Sequence, residues 1–491
     1  MTGRYRTGVC WVIFIALAAT IARDSFAAEK PSQPPPKPAY RSVCFRDVPH
    51  VVQKPDFCGE ACVEMWLQKL GRKLTQDDVF NASGLDPLEG RGCHTKELAK
   101  AMANLGFHPG PVWHPAATAD KAEQAEKQWQ ALHADLLAGV PSIVCMYSDG
   151  SPRATEHFRL VLGYDSNTDL VLFHEPAQAG GAYQRMPRTT LLALWPLSAG
   201  EGKATIIRLR LESSSRATPP APRPSSPGAS FSPADYAQHM MKLKPKIPGK
   251  GFTVVLAAPF VVIGDGPAEE VRRRAKDTVQ WAVEKLKAEY FAKDPQDILD
   301  IWLFKGKESY EKHCLSLFRK KPDTPFGYYS HTDRALVMNI DTGGGTLVHE
   351  IVHPFVAANF PNCPSWLNEG LGSLYEQCGE KDGRIHGYPN WRLPALQEAI
   401  RKKSVPSFQS LMALSEYDFY EKDKGTNYAQ SRYLCYYLQQ QGLLKKFYHR
   451  FLADRQKDPT GYETLKTVLK RDDMAAFQKE WEEYTLKLKF R

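Results

Sequence analysis

Two histidines and two glutamates in the C-terminal half of the chain have the types and spacing of a metal-dependent hydrolytic site. His349 and His353 are four residues apart, so on a helix they share one face and can bind the same Zn²⁺ ion. Glu350 lies beside them, where a carboxylate can polarise a bound water and carry its proton to a leaving amine. Glu369, sixteen residues after His353, is the natural third ligand. The pattern predicts one catalytic Zn²⁺ as cofactor, with three protein ligands.

A cysteine, a histidine and a glutamate in the N-terminal half have the types needed for nucleophilic catalysis. Cys58 is expected just at the start of an amphipathic helix, where the positive end of the helix lowers the pKa of a thiol. A predicted hairpin places His157 opposite Glu175, which pairs a base with a group that orients it. Gln53 can donate its side-chain amide to an oxyanion. Cys62 is a competing candidate for the nucleophile.

The elements that must position the first set are one helix and one hairpin. Apolar residues recur at helical spacing from Cys62 to Leu70, and Gly71 is placed to end that helix. Two apolar runs separated by a polar turn predict the hairpin strands, over residues 157–165 and 169–176.

The elements that must position the second set begin with a small sheet. The predicted elements are a strand over 252–264, a charged helix near 267–292, a strand over 298–304 and a hairpin over 328–340. From about residue 345 the pattern is mostly helical, and Pro364 and Ser365 begin the helix that carries Glu369. Pro354 lacks an amide hydrogen and is expected to kink or end the first metal-binding helix.

The N-terminal half resembles the papain-like superfamily, most closely the bacteriocin-processing, double-glycine leader peptidases and their secreted relatives. The resemblance covers most of residues 45–195 and rests on Q-x4-C-G-x-A, the GRGCHTKEL segment, H-x5-G-Y-D and a closing E-P. It implies Gln53 as oxyanion donor, Cys58 as nucleophile, His157 as base and Glu175 as orienting group. Two features depart from that family: the Gln-to-Cys gap is one residue shorter, and the orienting residue is Glu where Asp is usual.

The C-terminal half resembles the gluzincin metallopeptidases, the thermolysin-like superfamily whose third zinc ligand is a glutamate. The motifs H-E-I-V-H and W-L-N-E-G carry this resemblance, which is strong over 326–380 and looser across the rest of 248–491. It implies a zinc-dependent endo- or aminopeptidase with His349, His353 and Glu369 as ligands. Glu350 is then the catalytic base.

The same resemblance suggests where the substrate and its oxyanion are held. The strand with the sequence DRALVMNI becomes the sheet edge to which a substrate peptide adds. Members of the superfamily use a downstream Tyr or His to stabilise the oxyanion, and Tyr428 is the candidate in this chain. The alternative for Tyr428 is a core position, since it belongs to an aromatic stripe on a predicted helix.

Composition divides the chain and excludes some functions. A net charge of +9 spread over 491 residues gives no clustered basic face, so no nucleic acid partner is expected. Prolines and serines concentrate over 213–233, which predicts a linker between two globular domains. The resulting organisation is signal peptide 1–27, Pro-rich spacer 28–40, papain-like domain 41–210, linker 211–247 and gluzincin-like domain 248–491. The fold class is α+β in two domains, the second mostly helical with a small N-terminal sheet.

The N-terminus predicts export. Two arginines precede an apolar run over 8–22, and small residues occupy positions 25 and 27, which is the layout of a secretory signal peptide. An uncleaved membrane anchor is the alternative; without it, no stable membrane insertion is expected, and the protein is periplasmic, cell-surface or secreted. Ten cysteines, one of them in the signal, permit but do not require two disulfides in each domain.

The sequence therefore predicts an exported peptidase acting on peptide or protein substrates through a zinc-activated water. The N-terminal domain is a second protease or a module that binds or restrains substrate. A third possibility is that one domain cleaves the linker. The alternative from a different class is a non-catalytic cell-surface binding protein in which both sites are degenerate.

Overall fold

The structure is a computed structural model that describes residues 40–213, 230–422 and 425–490. The predicted signal peptide and nearly all of the Pro-rich spacer lie outside the described residues. Within the described ranges, no helix has both the length and the apolar character needed to cross a bilayer.

The N-terminal domain is built around an antiparallel sheet. Its strands are β1 Val43–Cys44, β2 Phe107–His108, β3 Trp113–Ala117, β4 Ser142–Tyr147, β5 Glu156–Asp165, β6 Leu170–His174, β7 Gln184–Pro187, β8 Leu197–Ser198, β9 Lys203–Arg210 and β10 Glu212–Ser213. Its helices are α1 Cys58–Lys69, α2 Gln76–Ser83, α3 Thr95–Asn104, α4 Lys121–Leu137 and α5 Arg188–Leu194. The sheet order is β3-β9-β4-β5-β6-β7, with β1 paired to β5 and β8 paired to β9, while β2 and β10 pair separately.

Side chains that point alternately to the two faces of the sheet are buried on both faces. On β4, Ile143 and Cys145 pack in the core that α1, α2 and α3 form, whereas Val144 and Met146 pack in the core that includes α4 and α5. Successive side chains of a strand point to opposite faces, so an almost continuously apolar strand is buried on both sides. The sheet is thus the rigid middle layer from which site residues project.

The predicted hairpin forms as β5 and β6, but its register differs from the prediction. Leu160 pairs with His174, after an irregularity between Val161 and Gly163. Extending this register by one residue places Glu175 opposite Arg159, not opposite His157 as predicted. Because the difference is two residues along a strand of period two, His157 remains on the same face as Glu175.

The C-terminal domain is a mixed sheet followed by packed helices. Its strands are β11 Thr253–Ala257, β12 Phe260–Gly264, β13 Leu299–Phe304, β14 Gly327–Ser330, β15 Ala335–Asn339, β16 Cys378–Lys381 and β17 Arg384–Gly387. Its helices, together with the one that precedes it, are α6 Pro233–Leu243, α7 Ala268–Arg274, α8 Trp281–Glu289, α9 Lys307–Phe318, α10 Gly345–Asn359, α11 Ser365–Leu374, α12 Leu393–Arg401, α13 Phe408–Met412, α14 Glu416–Glu421, α15 Thr426–Gln440, α16 Leu444–Asp454, α17 Tyr462–Leu469 and α18 Met474–Lys487. The main sheet has the order β11-β12-β13-β15-β14.

Two sequence predictions for this sheet are corrected. The segment 252–264 is a hairpin of β11 and β12 rather than one strand, because Pro259 has no amide hydrogen to continue a ladder and lies in the turn. The strand carrying DRALVMNI is also not the sheet edge: β15 lies between β13 and β14, and the edge strand is β14. A peptide that adds to the edge of this sheet next to β15 therefore pairs with β14, while β11 forms the opposite edge.

Helix α10 continues through its internal proline to Asn359, so Pro354 does not end the helix, which was one of the two predicted outcomes. The missing amide is the one that would bond to the carbonyl of Glu350, one turn earlier. Both histidines lie at or before that turn, and the helix around them is unbroken.

The second half of the predicted linker is folded. Helix α6 begins with a capping box, in which Ser232 accepts from the amide of Asp235. Its Ala234 and Ala237 pack in the N-terminal core, whereas Tyr236 belongs to a core cluster of the C-terminal sheet. This helix joins the two domains through apolar contacts on two of its faces.

The cysteines of the described residues are all free thiols, so the disulfides that the cysteine count permits are not formed in this structure. Most of these thiols are buried in apolar surroundings, as Cys62, Cys314 and Cys435 illustrate. Their burial explains their abundance without a covalent framework.

Candidate active sites

Cys58 is the first residue of helix α1, as predicted from the apolar spacing behind it. Its sulfur accepts a hydrogen bond from the backbone amide of Phe158, the residue that follows His157 on β5. The alternative nucleophile, Cys62, lies fully buried one turn later and donates its thiol to the Phe158 carbonyl at 3.7 Å. Of the two thiols, Cys58 is the one with partial exposure.

His157, Glu175 and Arg159 form a hydrogen-bonded chain. His157 Nε2 lies 2.5 Å from Glu175 Oε1, and Arg159 Nε donates to Glu175 Oε2 at 2.7 Å. Burial by itself would raise the pKa of Glu175, but the hydrogen bond and charge of His157, the Ala177 amide and Arg159 lower it to about 2. Glu175 is therefore an anion, and it fixes Nε2 of the imidazole, which leaves Nδ1 for other partners.

Gln53 is brought to the same region through the backbone. Its amide donates to the carbonyl of Pro176 at 2.9 Å, which ties the segment before Cys58 to the residue after Glu175. The side-chain oxygen of Gln53 is buried and accepts no hydrogen bond. The four residues predicted for this site are thus gathered by contacts at Phe158 and Pro176.

The expected lowering of the Cys58 pKa is not observed. Burial raises the pKa of this thiol to about 11, and the nearby carboxylates of Glu60 and Asp56 add to the increase. The hydrogen bond from Phe158 opposes the rise but does not outweigh it. The positive end of a helix is a fractional charge, so it loses to burial and two acidic neighbours here.

The glycine-rich segment around Cys93 packs directly against the start of α1. Asp56 accepts from the Gly92 amide at 2.8 Å, and Glu60 accepts from the Cys93 amide at 2.7 Å. A Cβ at Gly92 would lie 1.8 Å from the Asp56 carbonyl oxygen, so only glycine allows this approach. The segment thereby positions the residues on both sides of Cys58.

In the second domain, α10 and α11 bring the three predicted metal ligands together. His349, His353 and Glu369 each offer one ligand atom, and these atoms lie within 4.8 Å of one another. His349 Nε2 is 3.2 Å from Glu369 Oε2, and His353 Nε2 is 3.9 Å from Glu369 Oε1. The two helices pack face to face, which makes the four-residue spacing on α10 converge on Glu369.

The opposite nitrogen of each histidine faces an oxygen acceptor, as a hydrogen bond for His353 and as an ion-pair contact without hydrogen-bond alignment for His349. His353 Nδ1 lies 3.0 Å from Asn368 Oδ1, and His349 Nδ1 lies 3.2 Å from Glu376 Oε1. Glu376 in turn receives two bonds from Arg392, at 2.7 and 2.9 Å. Both imidazoles therefore turn Nε2 towards Glu369, which is the arrangement that orients histidine ligands of a metal.

The donor set fits a zinc ion. Zinc bonds of roughly 2.0–2.2 Å require ligand atoms about 3–4 Å apart, and the two separations to Glu369 fall in that range. Glu369 Oε2 is buried without an aligned hydrogen bond, although Oε1 accepts from the Tyr420 hydroxyl at 2.7 Å. A metal at the convergence point of these atoms would satisfy that oxygen.

Glu350 and Tyr428 line the open space beside these ligands. Both border a cavity of about 960 Å³ and a second of about 610 Å³. Burial raises the pKa of Glu350, while the charges of His349 and His353 oppose the rise. The ring of Tyr428 packs under the Arg392 guanidinium, 5.2 Å from the ring centre. Tyr428 therefore combines a core-like contact with a position in the cleft.

Several residues of these sites were missed from the sequence. Glu376 lies just beyond the end of α11 at Leu374, so helical spacing from Glu369 does not place it. Arg159 lies two residues after His157, hence on the same strand face. The spacing of Arg159 was available as a signal, whereas the contact of Tyr420 with Glu369 comes from packing of α14 on α11 and had no local signal.

Comparison with known proteins bears on the first domain. Residues 45–202 match the Peptidase_C39 like family. The peptidase domain of Streptococcus ComA, a bifunctional ABC transporter involved in a quorum-sensing pathway, is 16% identical, with 33% of this chain and 96% of that domain covered at a TM-score of 0.22. No curated protein matches the chain. The N-terminal domain is thus similar to C39-like peptidases, and the family match ends before the linker.

Proposed function

We propose that this protein is a peptidase whose C-terminal domain hydrolyses peptide bonds with a zinc-activated water. The observation that carries the proposal is the convergence of His349, His353 and Glu369 with Glu350 at an open cleft. When bound, zinc would supply Lewis-acid activation of water. The arrangement resembles the gluzincin metallopeptidases, and this resemblance is part of the proposal.

Residues of the chain itself are proposed to transfer the proton, stabilise the oxyanion and hold the substrate. In the hydrolysis the oxygen of water bonds to the carbonyl carbon, the C–N bond breaks, and one water proton passes through Glu350 to the leaving amine. Tyr428, which borders the cleft beside Glu350, is proposed to donate a hydrogen bond to the oxyanion. The free edge of β14 is proposed to hold the substrate backbone.

The test is peptide hydrolysis by the full chain reconstituted with zinc. Glu350→Gln keeps the side-chain shape but removes the base, so we expect kcat/KM to fall about 10²- to 10⁴-fold while bound zinc is retained. Glu269→Gln is the matched control, since Glu269 is 91% exposed on α7. Undiminished hydrolysis by Glu350→Gln, or no hydrolysis by the zinc-loaded parent, would contradict the proposal.

A second candidate activity is thiol-dependent peptide hydrolysis by the N-terminal domain. The 2.5 Å contact of His157 with Glu175 beside Cys58 favours it, as does the C39-like family match. With the thiol largely protonated, His157 must take its proton during attack on the substrate. Hydrolysis that continues in the presence of a zinc chelator and is lost in Cys58→Ala would support this activity. If no such hydrolysis is found, substrate binding remains as the role of the domain.

The location of the protein is proposed to be outside the cytoplasm, as the N-terminal pattern predicts. The N-terminal residue of protein recovered from an exported fraction tests this directly. We expect cleavage after Ala27, so that the mature chain begins at Ala28. Recovery of an intact N-terminus in the membrane fraction would favour the anchor instead.

A competing function is binding without catalysis. Two degenerate sites would leave a folded chain that takes up no zinc. The convergence of His349, His353 and Glu369 on one point favours the metallopeptidase over this alternative. The zinc content of the purified chain separates the two functions.

A further inference from the structure

Two cavities meet at the proposed catalytic group. His349, Glu350 and Tyr428 border both of them, so these residues form the waist between the two cavities. The walls of the larger cavity, of about 960 Å³, include Trp281, Phe326 and Trp391. The walls of the smaller one, of about 610 Å³, include Tyr329, Phe360 and Tyr420.

Strand β14 runs past this waist and contributes to both cavities. Phe326 and Gly327 line the larger cavity, while Tyr328 and Tyr329 line the smaller one. The amide of Asn339 donates to the Phe326 carbonyl at 2.8 Å, so the backbone groups of Phe326 point towards β15. By the alternation of an antiparallel ladder, those of Gly327 and Tyr329 point away from the sheet.

An extended peptide paired with this edge therefore passes the catalytic group and continues in both directions. Gly327 offers its outward groups on the side of the larger cavity, and Tyr329 offers its own on the side of the smaller one. A cleft that served only chain ends would be closed on one side of the waist. The volumes on the two sides are comparable to those of ordinary ligand pockets, which are about 300–1,000 Å³.

The charges that line the cleft do not select a chain end. Among the described residues that border the two cavities, the acidic side chains other than Glu350 and the proposed ligand Glu369 are Asp277 and Glu376. Glu376 is fully engaged by Arg392 and His349, and Asp277 is solvent-exposed, where a contact with an α-ammonium is screened. Arg392, the corresponding candidate for a terminal carboxylate, is neutralised by Glu376.

We propose that the C-terminal domain is an endopeptidase, which cleaves internal bonds of extended segments and requires neither a free α-amine nor a free α-carboxylate. This inference rests on the proposed function and decides between the endo- and aminopeptidase activities that the sequence leaves open. The preferred substrates are unfolded or flexible chains with bulky apolar side chains, because four of the residues that line the larger cavity are aromatic.

The first test uses one peptide sequence in free, N-acetylated, C-amidated and doubly blocked forms. Each is incubated with the zinc-loaded full chain, products are identified by mass spectrometry, and the rate retained by Glu350→Gln is subtracted. We expect all four forms to be cut at the same internal bond, with rates within about fivefold, the range of a screened charge contact. Release of single terminal residues from the free form, with the blocked forms more than about tenfold slower, would overturn the inference.

This design separates two failures. If no form is cut in a manner that depends on Glu350, the proposed function itself fails, and the inference fails with it. If only forms with one free end are cut, the proposed function stands and the endopeptidase assignment is wrong. Both outcomes are read from the same set of reactions.

The second test examines the edge pairing without changing the protein. N-methylation of single peptide bonds in the doubly blocked substrate removes one donor at a time. We expect alternate positions to lose about 5- to 10-fold in kcat/KM, on both sides of the scissile bond, because only every second residue bonds to β14. Losses confined to one side of the scissile bond would contradict a cleft that is used in both directions.

Discussion

Each of the two domains contains a histidine beside a glutamate with little exposed surface, and that glutamate is hydrogen-bonded to an arginine. The two sets are Arg159, Glu175 and His157 in the first domain, and Arg392, Glu376 and His349 in the second. Both glutamates have a pKa of about 2, because the histidine and arginine outweigh the burial that would raise it. The same arginine–glutamate–histidine arrangement, called a device below, therefore occurs twice, on elements that are unrelated to each other.

The two devices differ in which imidazole nitrogen the glutamate takes. Glu175 takes Nε2 of His157, which leaves Nδ1 for the neighbourhood of Cys58. Glu376 takes Nδ1 of His349, which leaves Nε2 for Glu369 and a metal. The lesson is that the orienting carboxylate selects the chemistry: its position decides whether the histidine serves as a base or as a ligand.

The largest expected effect concerns the pH dependence of Cys58 alkylation in the first domain. With a pKa of about 11, the thiolate fraction of Cys58 rises tenfold per pH unit, so its alkylation by iodoacetamide should accelerate about 10³-fold between pH 7 and 10. Site-resolved mass spectrometry measures this rate, with exposed Cys44 as the internal reference. A rate that is already maximal near neutral pH would mean that His157 holds Cys58 as a thiolate.

The next effect concerns the metal side. Glu376→Gln removes the anion that orients His349, so zinc affinity should fall about 10- to 100-fold, the usual cost of losing such a partner. Competition with a chromogenic chelator measures the affinity. Glu398→Gln is the matched control on an exposed residue, and equal affinities in the two variants would show that Glu376 does not orient the ligand.

A pair of glycines tests whether the two devices are positioned in the same way. A Cβ at Gly345 would lie 1.9 Å from the carbonyl oxygen of Glu376, and one at Gly181 would lie 1.9 Å from that of Glu175. Each alanine variant should lower the free energy of unfolding by about 1–3 kcal/mol, as overpacking does. Urea titration measures it, and Gly345→Ala alone should also weaken zinc binding.

The matched controls for this pair are Gly180→Ala and Gly306→Ala, where an added Cβ meets nothing within 4 Å. Stability that is equally reduced in the controls would show a general cost of losing glycine. Stability that is unchanged in all four variants would show that neither glutamate depends on a close glycine.

The smallest effect concerns the rim of the cleft. Trp391 is 59% exposed beside the larger cavity, with the Arg392 guanidinium 4.3 Å from its ring centre. Trp391→Ala should raise KM for peptides with bulky apolar residues by about 3- to 10-fold, with kcat nearly unchanged, since only partial burial is lost. Steady-state kinetics measures this, and Trp113→Ala, a substitution of similar exposure in the first domain, should leave KM unchanged.

Local spacing was sufficient to predict the elements that carry the chemistry. The four-residue separation of His349 and His353, and the Pro364-Ser365 start of the next helix, correspond to α10 and α11. Apolar alternation likewise predicted the hairpin that carries His157. These elements follow from the helical period of 3.6 residues and the strand period of 2 residues, and both periods can be recognised in short segments of sequence.

What the sequence did not predict depends on long-range packing. The order of β14 and β15 in the sheet is set by which strand joins β13, and the fully buried β15 takes the central position while the partly buried β14 takes the edge. The Pro/Ser composition up to residue 233 gave no sign of α6. This helix has two apolar faces, one packed against each domain, so its formation depends on both domains. The rise in the Cys58 pKa likewise comes from burial by distant segments.

The central claim is that the second domain binds a zinc ion through two histidines and a glutamate. The most direct measurement is zinc per chain in the purified full-length protein, compared with Glu369→Ala prepared in parallel. We expect about one zinc per chain in the parent and far less in the variant. A folded parent without zinc, or equal zinc in both proteins, would contradict it.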